Sequence, residues 1–180
     1  MQLKIIKNVI NTEDADLLIE YISNNLNDGK RFVTSTYYKD MAETSVPDVH
    51  ELYLHKEIFP LLKKYTNIFI DECKIFFPNS DNAKLYAFKL SRLGKLNILD
   101  PHVDRIEGTP IDFSGVLYLS DDSEGGDLYF PEFDFKYSPN FGDLVLFRPD
   151  YLHEVKEITK GLRFTLPLWA TLSKEEVVIP

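Results

Sequence analysis

Apolar positions along the chain change period near residue 84, and the change separates a helical first part from a β-rich second part. QLKIIKNVI (residues 2–10) reads as a short β-branched strand. Leu18, Ile19, Ile22 and Leu26 then recur at three- and four-residue intervals. Asn11-Thr12 offers this helix a cap, Glu13, Asp14 and Asp16 favour the positive end of its dipole, and Gly29 is a stop signal. A second helix is expected from about His50 to Phe69, with Leu52, Ile58, Leu61, Leu62 and Tyr65 on its buried face. The polar stretch 30–49 between them has no clear period. It contains Tyr37 and Tyr38 and falls where a mobile lid over a binding site would be useful.

From Lys84 onward the segments KLYAFKLSRL, FSGVLYLS, DLYFPEFDFKY, FGDLVLF and LRFTLPLW are short, aromatic and β-branched, separated by turn clusters such as DDSEGG and SPNFGD. Strands at this density without intervening helices argue against a parallel α/β sheet and point to a sandwich or barrel. No repeat, low-complexity tract or interdomain linker interrupts the 180 residues, which suit one domain. The expected class is α+β, mainly β.

Composition narrows the partners. A net charge of −9 and the lack of any basic cluster argue against a nucleic-acid partner. No apolar run reaches the ~18 residues of a membrane span, and MQLKIIKNVINTED is too polar for a signal peptide. The single cysteine, Cys73, has no disulfide partner within the chain and reads as a small hydrophobe, which favours a cytoplasmic location.

Candidate chemistry begins at DPHVDRIEG (residues 100–108). On an extended strand, residues i and i+2 share a face, so His102 and Asp104 would converge on one point, and Pro101 favours an extended start. His153 stands far enough along for several strands to return it to the first pair. Two histidines and a carboxylate form the facial triad of non-haem Fe(II), while catalytic zinc accepts the same donors. His50 and His55 are five apart, not on one helix face, and read as solvated. In LRFTLPLW, Leu162, Phe164, Leu166 and Leu168 share one face and Arg163, Thr165, Pro167 and Trp169 the other. Packing the leucine-rich face on the helices turns Arg163 inward, where a guanidinium needs an anionic partner such as a carboxylate.

His102-x-Asp104, His153 and Arg163 ten residues later, together with SGVLYLSDDSEGGDLYFPEFDFKYSPNFGDLVLFRPDYLHEVKEITKGLRFTLPLW, resemble the Fe(II)/2-oxoglutarate-dependent dioxygenases, more narrowly their prolyl 4-hydroxylase branch. The resemblance spans about residues 84–170. It implies a double-stranded β-helix (jelly-roll) core over about 84–172, with helical support over about 1–75. It implies that His102, Asp104 and His153 hold Fe(II), that 2-oxoglutarate chelates the metal and reaches Arg163, and that Tyr118 and Thr165 assist. It further implies 2-oxoglutarate as the co-substrate, O2 as the oxidant and ascorbate as a reductant. Trp169 matches an aromatic that relatives place beside substrate. Arg92 stands where relatives often carry a tyrosine, which makes it a candidate substrate residue. The implied reaction is hydroxylation of a prolyl residue in a peptide or protein. The alternatives are hydroxylation of a free amino acid or other small molecule, and a non-catalytic metal- or 2-oxoglutarate-binding module.

Overall fold

The computed structural model describes residues 1–25, 42–43 and 55–174. Helix α1 (Thr12–Asn25) starts at the expected cap: Asn11 Oδ1 accepts the backbone N–H of Asp14 at 2.8 Å. Helix α2 (Ile58–Phe76) corrects the expected boundaries at both ends. It begins at Ile58 because Pro60 lacks an N–H and fits only a first turn; a helix running from His50 would carry it in its interior. It continues past Phe69 because Ile70 and Cys73 extend the buried stripe, and it stops where Phe77 turns extended before Pro78. Leu26, Gly29, His50 and Leu52 lie outside the described residues. So does the expected lid at 30–49, apart from a two-residue strand at Ala42–Glu43.

Thirteen strands are found among the described residues. The large sheet contains β1 (Leu3–Ile6), β2 (Ala42–Glu43), β3 (Lys84–Phe88), β4 (Ser91–Leu93), β6 (Phe113–Tyr118), β10 (Leu144–Phe147) and β13 (Arg163–Thr171). Its order is β1-β10-β6-β13-β4-β2, with β3 also pairing β13. The smaller sheet is β5-β11-β8-β9, from β5 (Leu99–His102), β8 (Leu128–Phe130), β9 (Phe135–Tyr137) and β11 (His153–Val155). A two-stranded ribbon pairs β7 (Glu124–Gly125) with β12 (Ile158–Lys160). These antiparallel sheets with helical support are the expected jelly roll.

Alternation along the strands of the large sheet assigns its two faces. Leu117, Leu146, Phe164, Leu166 and Leu168 join Leu18, Ile22, Leu62, Tyr65, Phe69 and the fully buried Cys73 in one core cluster. Burial pushes the Cys73 thiol far above its ordinary range, so it behaves as a hydrophobe. Gly115 lets α2 approach closely, since a Cβ there would lie 2.6 Å from the Phe69 ring. Tyr118, Val145 and Phe147 point the opposite way, into the barrel, and pack with Leu128 and Phe130. Pro167 is tolerated in the middle of β13 because of where it falls. Its carbonyl accepts Lys89 N–H on the side where the partner changes from β4 to β3, so the missing donor faces the gap between them.

Candidate active site

His102 and His153 lie directly opposite each other in the β5–β11 pair, with ring centroids 4.3 Å apart. β5 is an edge strand, which accommodates Pro101. The strand ends at His102, so Asp104 is brought round by a bend and not by strand alternation alone. That bend is fastened by the backbone N–H groups of Asp104 and Arg105, which both donate to the Pro149 carbonyl at 2.9 and 3.0 Å. The result places Asp104 Oδ1 3.8 Å from Nε2 of each histidine. All three potential ligand atoms lie within 4.8 Å of one another.

The backbone sets the tautomers. His102 Nδ1 lies 2.8 Å from the carbonyl of Asp100, and His153 Nδ1 2.9 Å from that of Tyr151. Since a carbonyl only accepts, each Nδ1 carries the hydrogen and each Nε2 lone pair is left toward Asp104. Burial pushes the His153 pKa down; Asp104 opposes this, His102 reinforces it, and the net shift favours the neutral imidazole that a metal requires. Phe130 and Phe147 pack on that ring.

A cavity of about 410 Å³ connects this cluster with Arg163, Thr165 and Trp169 on β13. Arg163 is 5% exposed. Its Nη2 donates to Tyr118 Oη at 3.3 Å, and its guanidinium carbon sits 4.9 Å from the centroid of the same ring. Its Nε has no hydrogen-bond partner among the described residues. Burying a guanidinium in this way is costly, so the site is built for an anion. Tyr118 is fully buried and directly opposite Thr165 across the β6–β13 pair. Burial raises the Tyr118 pKa, with Arg163 opposing, so the hydroxyl stays protonated. Gly126 borders the guanidinium stem: its φ is +74°, and a Cβ there would lie 3.1 Å from Arg163 Cδ. The Gly-Gly pair reads in sequence only as a turn signal, so this role was not visible there.

Arg92, the candidate substrate residue, is not among the residues that line this cavity. It pairs with Phe164, on the face of the sheet opposite the cavity, while its neighbours Ser91 and Leu93 line the cavity. Trp169 does line the cavity, with Lys89 Nζ 5.7 Å from the centroid of its ring. His55 is exposed and edge-on to Tyr21, and it is not part of the cluster that holds His102 and His153. Sequence reading missed the largely aliphatic wall contributed by Val103, Ile106, Ile111, Val116 and Leu128.

Residues 88–171 match the sequence model of the 2OG-Fe(II) oxygenase superfamily. Human prolyl 3-hydroxylase 2 is 36% identical over 87 residues, covering 42% of this chain and 12% of that protein. Chicken prolyl 3-hydroxylase 1 is 43% identical over 68 residues, covering 34% of this chain and 9% of the relative. The matched part is thus about a tenth of the length of these curated relatives. Among solved structures, the viral collagen prolyl hydroxylase of Paramecium Bursaria Chlorella virus-1, in its 2OG complex, superposes with a TM-score of 0.66 at 18% identity, covering 97% of each chain. A Trichoplax adhaerens prolyl hydroxylase in complex with a hypoxia inducible factor peptide fragment gives 0.72 at 18% identity, covering 99% of this chain and 87% of that one.

Proposed function

We propose, from the match of residues 88–171 to the sequence model of the 2OG-Fe(II) oxygenase superfamily, that this chain is a 2-oxoglutarate-dependent dioxygenase acting on a prolyl residue of a peptide or protein. The observation that carries the reading is a His102–Asp104–His153 cluster sharing one cavity with a buried arginine that lacks an anionic partner among the described residues. The donor set fits Fe(II): two imidazoles and one carboxylate would hold the metal and would leave room for a chelating ligand and O2. The unpaired Arg163 Nε fits the far carboxylate of 2-oxoglutarate. When bound there, iron and 2-oxoglutarate supply the oxidative chemistry. That chemistry would convert 2-oxoglutarate and O2 to succinate and CO2 while one oxygen atom is added to the substrate C–H.

The chain's own residues bind, orient and shield. Arg163 holds the distal carboxylate, Tyr118 fixes the guanidinium and, with Thr165, presents hydroxyls from adjacent positions on β6 and β13. The aliphatic wall and Trp169 provide an apolar seat for a pyrrolidine ring and keep water from the reacting centre. The peptidyl substrate is supported by the prolyl hydroxylases among the relatives. The test is succinate release across a panel of proline-containing peptides, with ascorbate present as reductant and mass spectrometry of the products. Peptide-stimulated succinate and one added oxygen on a proline ring are expected. Stimulation by free proline or another small amino acid, with no peptide active, would replace the peptidyl reading by a small-molecule hydroxylase. Tight 2-oxoglutarate binding without turnover on any substrate would favour a binding module.

A further inference from the structure

We propose that Arg105 is a positioning residue, whose guanidinium clamp through Asp112 to the end of β13 fixes the backbone of Asp104 and so aims its carboxylate. The inference rests on the metal-site reading above. Arg105 follows Asp104 directly and its side chain turns away from the cluster. Its Nε donates to the Ile111 carbonyl at 2.6 Å and its Nη2 to Asp112 Oδ1 at 2.7 Å. Asp112 is itself tied to β13: its N–H donates to the Ala170 carbonyl at 2.8 Å, and its Oδ2 accepts the N–H of Leu172 at 2.7 Å. The Thr171 hydroxyl stands 3.5 Å from the same oxygen.

Asp104 is therefore gripped from two directions. The Pro149 carbonyl holds its N–H and that of Arg105, and the arginine side chain braces the following residue against the strand that also carries Arg163. Between the ends of the clamp the chain makes a turn, with Gly108 at φ +85° and Ile106 and Thr109 hydrogen-bonded to each other. The two histidines need no such device, because the β5–β11 ladder already sets them opposite each other. Asp104 lies beyond the end of β5, so the aim of its carboxylate depends on loop contacts.

Ni(II) titration of the purified protein tests this, since Ni(II) is held by imidazoles more tightly than Fe(II) and stays measurable when one ligand is lost. Arg105→Gln should weaken Ni(II) binding by roughly tenfold, the scale seen for partners that orient metal ligands. In an Asp104→Ala background the same substitution should add nothing further, because there is no carboxylate left to aim. Arg105→Lys should fall between, keeping the charge while losing the two-point grip. If Arg105→Gln does not fold, Asp112→Asn replaces it in the same cycle. Equal weakening with and without Asp104 would make Arg105 a merely structural residue and overturn the proposal, as would an unchanged Ni(II) affinity of Arg105→Gln in the otherwise wild-type protein. A wild-type protein that binds no Ni(II) at this cluster would instead remove the metal-site reading, and the clamp with it.

Discussion

Replacing Arg163 by methionine separates what the residue does for the fold from what it does for a ligand. Among the described residues the guanidinium makes one hydrogen bond, to Tyr118 Oη, and stacks on that ring, while its Nε is unpaired. Losing the bond costs about 1.5–3 kcal/mol, and removing a buried, incompletely paired cation returns a similar amount. Because methionine fills comparable space, the two effects leave a net change within about 2 kcal/mol, or a Tm shift under roughly 8 °C for a domain of this size. Ligand binding responds very differently. Two charge-assisted bonds to the distal carboxylate at about 1.5–3 kcal/mol each amount to roughly 3–6 kcal/mol, or about 10²- to 10⁴-fold in Kd. Calorimetry of 2-oxoglutarate binding to the Mn(II)-loaded protein, beside thermal melts of the apo form, reads both quantities. A 2-oxoglutarate affinity within threefold of wild type would refute the anchor. A collapse of the apo fold would show that the arginine serves packing instead.

His102→Ala and His153→Ala should each abolish stoichiometric Mn(II) binding by metal analysis with the fold retained; His153→Ala should lose more stability, since that ring is buried against Phe130 and Phe147. Gly126→Ala places a Cβ 3.1 Å from Arg163 Cδ at a φ of +74°; a loss of about 1–2 kcal/mol in a denaturant melt and weaker 2-oxoglutarate binding are expected, and a wild-type ligand affinity would contradict the contact. Burial alone would raise the Asp143 pKa, but hydrogen bonds from Tyr137, the Asn140 N–H and Lys7 hold it below the usual carboxylate range. Its folded pKa is therefore below its unfolded one, so its stabilisation is fully present above about pH 4 and lost as pH falls toward the depressed value. Asp143→Asn should flatten the Tm-versus-pH curve below about pH 4.

Where a property repeats with a local period, the sequence alone determined it. The alternation in LRFTLPLW assigns Phe164, Leu166 and Leu168 to the helices and Arg163, Thr165 and Trp169 to the cavity, as found. The spacing of Leu18 and Ile22 marks the buried face of α1 in the same way. Resemblance then singled out His102, Asp104 and His153, which do converge. Tertiary structure decided whatever depends on register or on distant chain. Arg92 and Ser91 are neighbours on one short strand, and only the pairing of Arg92 with Phe164 reveals which of them faces the cavity. The close approach of Gly126 to Arg163 and the tie from Arg105 through Asp112 to β13 join residues with no periodic relation. A strand's alternation is imposed by its own backbone geometry and is written into neighbouring residues. Which strands meet, and in what register, is settled by the packing of the whole sheet against its helices, so those contacts leave no local trace.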